Sequence, residues 1–259
     1  MALIRIGVCV DTDMILEAEQ AGYDYIEGNL SQIAVLDKRA FMTQYAIVRE
    51  AGIRAEVMNC MLPRELNVVG RGVNASMLHE YLDFAFERAR MLGCDMCVFA
   101  SPAVRQVPEG WPIDVAWRQM TNFLRLVERH AAAYGLIVSI EPVCRDECNI
   151  LNTLREAVML CSILKLDHIR VTANIYQMEK ELEPIGELPR AGELLSHVHI
   201  CSGERAYPAM EDIDKCKAVF RALNSVNYRR RVSVEAGYDN FREEATNAFE
   251  VLDVARKSS

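Results

Sequence analysis

Apolar residues along this chain follow two alternating rhythms. Short runs rich in β-branched and aromatic residues alternate with longer stretches whose apolar positions recur at three- and four-residue spacing, the mark of a helix with one buried face. The clearest helical stretches are 75–92, 116–134, 212–223 and 240–255. One junction recurs between the two kinds of segment: a helix end, a glycine, then a strand. It appears at Gly22 before strand 23–27, at Gly52 before 53–58, at Gly93 before 96–99 and at Gly135 before 136–141. Glycine just past a helix suits the left-handed cap that other residues enter only with strain. Weaker strand candidates occupy 4–10, 169–173, 197–200 and 232–234.

Eight such alternations within 259 residues predict an α/β chain folded as a (β/α)8 TIM barrel, a single domain over residues 1–259. The rival, an open doubly wound sheet, wants a glycine-rich phosphate turn after the first strand. The run Val8-Cys-Val-Asp-Thr-Asp13 has none. Two connections after strands are long, 59–74 and 101–114. The second carries Pro102, Arg105, Pro108, Gly110 and Trp111, and reads equally as a lid over a small polar ligand or as a surface Ω-loop.

A parallel barrel gathers the C-terminal ends of its strands on one face, where loops build an active site. Glu141, His199 and Glu235 each end a predicted strand, and a fourth strand ends in the amide Asn174. Glutamate is rarely buried unless it is paired or bound to a metal. The plain alternative for Glu141 is an ion pair with Arg145 or Arg205. Glutamates on strands five and eight would approach a ligand from different sides of the barrel axis, which suits removing and returning a proton beside a carbonyl. His197 and His199 lie two apart and share a face. His199, nearer the strand end, is the candidate ligand and His197 a buried neutral residue. Cys201 on that face is a competing soft ligand. Cys94 and Cys97 form a lone pair without a partner pair at zinc spacing and read as packing residues.

Composition narrows the functional classes. With 37 acidic against 29 basic residues the net charge is −8, the wrong sign for binding a phosphate backbone. The one dense basic run, Arg229 to Arg231, precedes a strand and should lie on the far face of the barrel. Nine scattered cysteines fit reduced thiols in a cytoplasmic protein. No uncharged apolar run approaches the ~18 residues of a membrane span. The apolar N-terminal segment 1–10 reads as a first strand rather than a leader.

Three segments together resemble a known family: Glu141-Pro-Val-Cys-Arg-Asp-Glu147, His197-Val-His-Ile-Cys-Ser-Gly-Glu-Arg205 and Ser233-Val-Glu235. They are similar to the xylose-isomerase-like barrels, in the branch of ketose 3-epimerases and hydroxypyruvate isomerase-like proteins, and the likeness runs along nearly the whole chain. The resemblance implies four metal ligands from strands five to eight, Glu, Asp, His and Glu, which fall here on Glu141, Asn174, His199 and Glu235. It implies Glu141 and Glu235 as catalytic residues, with Glu147, Gln177 and Arg205 holding substrate. It also implies a Mn²⁺ or Mg²⁺ cofactor and a homodimer or higher homo-oligomer.

The family's Asp-x-x-His after strand six is Asn174-Ile-Tyr-Gln177 in this chain. An asparagine oxygen can still bind a hard cation but carries no charge, so weaker metal binding is expected. Gln177 can hydrogen-bond a sugar but cannot exchange a proton. The expected activity is isomerisation or epimerisation of a small, non-phosphorylated ketose or hydroxy-carbonyl compound through a metal-stabilised enediolate. Arg105 and Arg205 leave room for a small anion. The alternative is a non-catalytic or metal-free sugar-binding relative with a degenerate metal site, serving as a subunit of a larger enzyme. A DNA-repair endonuclease of the same architecture is disfavoured by five histidines and the acidic balance.

Overall fold

The computed structural model describes residues 3–259, in which eight parallel strands close in chain order into a barrel. Met1 and Ala2, part of the segment read as a first strand, lie outside the described residues. The strands are β1 Arg5–Cys9, β2 Tyr25–Asn29, β3 Ala55–Asn59, β4 Met96–Phe99, β5 Ile137–Ile140, β6 Ile169–Asn174, β7 Leu195–Ile200 and β8 Arg231–Val234. The helices are α1 Ile15–Gln20, α2 Leu30–Val35, α3 Lys38–Glu50, α4 Ala75–Met91, α5 Pro102–Arg105, α6 Ile113–Tyr134, α7 Leu154–Leu164, α8 Ile175–Lys180, α9 Glu187–Ala191, α10 Ile213–Ser225 and α11 Phe241–Lys257. β8 pairs with β1 in parallel register, Ile6 opposite Val232, so no strand edge is left open.

Local sequence explains most element ends. Gly22, Gly93 and Gly135 have φ of +99°, +93° and +63°, as the junction pattern requires. Gly52 departs from it. Its φ is not positive; its N–H instead donates to the Glu19 carboxylate at 3.1 Å, and a Cβ would meet that carboxylate oxygen at 2.3 Å. Close approach, not backbone conformation, calls for glycine at that site. α4 begins on the Asn74 side chain, and α7 on a capping box between Thr153 and Glu156.

The main core lies between strands and helices, from Ile6 and Val8 on β1 to Phe220 on α10 and Leu252 on α11. A separate small cluster of Tyr25, Val57, Met96 and Val98 fills the lower barrel interior. Tyr25 fits because Gly7 opposite has no side chain; a Cβ there would lie 2.2 Å from the ring. Arg5 and Arg231 stack their guanidinium groups toward the same ring, 5.6 and 5.7 Å from its centre. Arg231 also pairs with Asp95 at 2.6 Å and Glu56 at 2.8 Å, which places the basic run at the N-terminal face of the barrel. All nine cysteines are free. Among the described residues no helix is long and apolar enough to cross a membrane.

Candidate active site

At the C-terminal mouth, strand ends bring Glu141, Asn174, His199 and Glu235 together. Glu141 is 1% exposed and Asn174 2%, while the Glu235 side chain keeps 23%, so Glu235 is the solvent-facing member. Asn174 Nδ2 donates to Glu141 Oε1 and to Glu235 Oε2, each at 2.7 Å. Its Oδ1 is turned away, capping α8 by accepting from Tyr176 N at 3.1 Å and Gln177 N at 3.4 Å. The amide therefore bridges two carboxylates with its nitrogen and starts a helix with its oxygen. Asn59 Nδ2 holds the other oxygen of Glu235 at 2.9 Å.

Below this pair lies a charge cluster that the sequence did not predict. Glu27, in the middle of β2 just after a register shift, is fully buried and receives both histidines: His197 Nε2 at 2.8 Å and His199 Nε2 at 2.9 Å. Ser233 Oγ donates to the same carboxylate at 2.7 Å and touches the Tyr25 hydroxyl at 2.9 Å. His199 Nδ1 then faces Glu141 Oε2 at 3.2 Å and Glu235 Oε2 at 3.7 Å. His199 is thus flanked by carboxylates on both ring nitrogens, and His197 lies a layer deeper, as its strand position implies.

These neighbours set the protonation preferences. Burial alone would raise the Glu27 carboxyl, but the two histidines outweigh it and hold it well below the usual range. Burial would lower His199, yet Glu27, Glu141 and Glu235 push it well above the usual histidine value. His197, with only Glu27 in its favour, is lowered by its burial. Glu141 follows Glu27, held low by His199 and Asn174 against its burial. Glu235 goes the other way. Desolvation, with Glu141 and Glu27 adding repulsion, raises it to about 7.

The donor set suits a divalent cation at three of the four expected positions. Glu141 Oε2 and His199 Nδ1 are buried without a well-formed hydrogen bond, and ligand atoms of Glu141, His199 and Glu235 lie within 4.8 Å of one another. Two carboxylates and an imidazole fit Mn²⁺ or Mg²⁺. Asn174 offers nitrogen in place of oxygen. The cysteine grouped with His199 is Cys9, together with Glu27, and not Cys201. The ion pairs considered for Glu141 do not form: Arg145 pairs with Glu181, and Arg205 with Glu147.

A cavity of about 450 Å³ opens above the carboxylates, large enough for a monosaccharide. Glu147, Gln177 and Arg205 line one wall. Arg205 Nη2 donates to Glu147 Oε1 at 2.5 Å and its guanidinium stacks 4.8 Å over Tyr176. Gln177 Nε2 donates to the same glutamate at 3.2 Å while its Oε1 accepts from Cys144 N at 2.7 Å. The long connections form the other wall, through Cys60, 62–64 and 101–104. Trp111 takes no part, since its Nε1 bonds Gln119. Arg105 does not reach a ligand either: it is fully buried, and its Nη2 donates to the Glu141 backbone oxygen at 2.9 Å.

Sequence reasoning missed Glu27 and Asn59. Asn59 ends β3, and Glu27 ends the run 23–27 read as a strand although it lies in the middle of β2; those positions were the only available signal.

Comparison with known proteins agrees with this fold. The chain is 30% identical to the 3-dehydro-D-guloside 4-epimerase of Escherichia coli over 119 residues, 46% of this chain and 45% of that protein, so this match spans less than half of either. It is 30% identical to the ketose 3-epimerase of Arthrobacter globiformis over 227 residues, 86% of this chain and 76% of that protein. The crystal structure of a D-allulose 3-epimerase from Methylomonas sp. with D-allulose shares the fold at a TM-score of 0.84 and 19% identity, covering 98% of each chain. The profile of one family matches residues 15–258, and by that match the chain belongs to the xylose isomerase-like TIM barrels, with sugar epimerases among its relatives.

Proposed function

We propose that this protein epimerises or isomerises a small, non-phosphorylated ketose or related hydroxy-carbonyl compound. The observation that carries the reading is the pairing of Glu141 and Glu235 on one amide, 2.7 Å each, at the floor of a sugar-sized cavity. They lie just beyond β5 and β8, and a ligand carbon held between them would meet a carboxylate from each side. One glutamate takes the proton from the carbon beside the carbonyl, leaving an enediolate. The other returns a proton to the opposite face of that carbon, or to its neighbour in an isomerisation. A divalent cation held by Glu141, His199 and Glu235 would supply positive charge for the developing enediolate oxygen. Glu147, Arg205 and Gln177 would hold substrate hydroxyls at the cavity wall. The relatives named as 3- and 4-epimerases support this class of reaction.

The test is turnover of a panel of free ketoses in D₂O with Mn²⁺ supplied. Each turnover should place one deuterium at the carbon that changes, and Glu141→Gln and Glu235→Gln should each lower kcat by about 10²- to 10⁴-fold. A well-folded, Mn²⁺-loaded protein that turns over none of them would sink the reading.

A second reading is sugar binding without chemistry, within a larger enzyme. It is favoured by the amide of Asn174, which already hydrogen-bonds the two carboxylates from between them. Under it, Glu141→Gln changes ligand affinity and nothing else.

A further inference from the structure

We propose that Asn174 is not a metal ligand in this chain but a brace, and that three side chains, Glu141, His199 and Glu235, make the whole protein contribution to the cation site. The inference rests on the reading above that this site takes a divalent cation.

Four contacts fix the orientation of the amide. Nδ2 meets two carboxylate oxygens at 2.7 Å, and Oδ1 meets two backbone N–H groups at 3.1 and 3.4 Å. Turning the amide over would set its oxygen against two acceptors and its NH₂ against two donors, losing all four contacts together. Asn174 is buried and lies at the junction of β6 and α8, so its oxygen cannot reach a cation without uncapping the helix. Two of the three other donors are poised differently, while Glu235 accepts from Asn59 at one oxygen and from Asn174 at the other. Glu141 Oε2 and His199 Nδ1 are buried, face one another and lack a hydrogen-bond partner.

This arrangement has a consequence for the empty state. An aspartate at 174 would add a third carboxylate against Glu141 and Glu235, a repulsion that a bound cation or an added proton would relieve. The amide donates to both instead. The carboxylate pair thus stays in place without metal, and cation binding becomes an exchangeable step rather than a condition of the fold.

Mn²⁺ itself is the probe, followed by electron paramagnetic resonance titration and by thermal melts with and without chelator. Wild type should bind one Mn²⁺. Asn174→Ser, which keeps a helix-capping hydroxyl but cannot bridge the carboxylates, should retain that site with affinity down by no more than about 10- to 100-fold. Asn174→Asp should bind Mn²⁺ at least about tenfold tighter, because it adds a charged ligand, and its chelated form should melt below chelated wild type. Loss of Mn²⁺ binding beyond about 100-fold in a folded Asn174→Ser protein would make the asparagine a ligand and overturn the proposal. So would a wild type that takes no Mn²⁺ at millimolar concentration, since three donors would then not suffice. A wild type that binds one Mn²⁺ yet turns over no ketose leaves the ligand assignment standing and removes the epimerase reading alone.

Discussion

Glu27 Oε1 accepts from His199 Nε2 at 2.9 Å although the two residues stand 172 positions apart. That contact settles which nitrogen of His199 faces the mouth, because the other is committed to Glu27. It also gives two buried histidines one acceptor. Removing it by Glu27→Ala takes the shared carboxylate from the Nε2 atoms of both rings, and we expect a loss of about 3–5 kcal/mol in stability. Glu27→Gln should keep the fold but lower Mn²⁺ affinity by about 10- to 100-fold, as loss of a group orienting a ligand histidine does. Urea unfolding and Mn²⁺ titration check the two parts, and an unchanged affinity in Glu27→Gln would argue that the histidine is positioned by other means.

Arg205 joins Glu147 at the cavity wall and stacks on Tyr176. Arg205→Ala should weaken substrate binding by about 1.5–3 kcal/mol, some 10- to 150-fold, with most of the effect in KM if the interaction is equal in ground and transition states. Steady-state kinetics on the preferred ketose decide this. A fall confined to kcat would place the guanidinium at the developing oxyanion instead.

Arg105 is fully buried with Nε and Nη1 unpartnered, and its one strong contact is the Glu141 carbonyl. Replacing a buried charge with an apolar side chain of similar length often costs nothing in stability. Arg105→Met should therefore unfold within about 1 kcal/mol of wild type, or above it. Activity should fall all the same, because α5 is no longer tied to the strand that carries Glu141. A large drop in the urea midpoint would show that the guanidinium stabilises the loop.

His130 on α6 contacts His79 on α4 through ring nitrogens 2.7 Å apart. Burial lowers its pKa, with His79 and Arg129 acting in the same direction against Asp83. The unfolded chain therefore binds this proton more readily than the folded one. The stability that neutral His130 contributes is complete above about pH 6.5 and is lost as pH falls toward the lower folded value. His199, raised in the fold, has the opposite sign: its contribution is present below about pH 6.5 and is lost as pH climbs. The difference between wild type and His130→Phe isolates the first effect. The wild-type urea midpoint should drop more steeply between about pH 7 and 5 than that of the variant, and parallel curves would refute the assignment.

Much of the barrel could be read from the chain, because its signals are local. Helix periodicity, the glycines at 22, 93 and 135, and β-rich runs all act over a few residues. Gly52 matched that pattern for another reason, a carboxylate contact from Glu19. The ends of β5, β7 and β8 carried Glu141, His199 and Glu235 to one mouth for the same topological reason. Glu27 escaped notice because its partners lie across the barrel, and nothing in the run Tyr25-Ile-Glu27 announces two histidines. Its place at the end of the run 23–27 was visible, but the strand continues to Asn29, and a register shift lies beside it. The orientation of Asn174 was half visible. An asparagine directly before a helix caps it with oxygen, so its nitrogen was free to turn toward the carboxylates.

Tyr25 in the slot left by Gly7 closes the barrel axis from beneath. Its ring is fully buried, with the two arginines below and the Ser233 hydroxyl above. The cavity above Glu141 and Glu235 is then the open side from which protons and ions would reach Glu27, His197 and His199. A bound sugar would then act as a stopper, isolating a fixed number of protons for as long as it stays, and the site's charge would be set at the moment of entry.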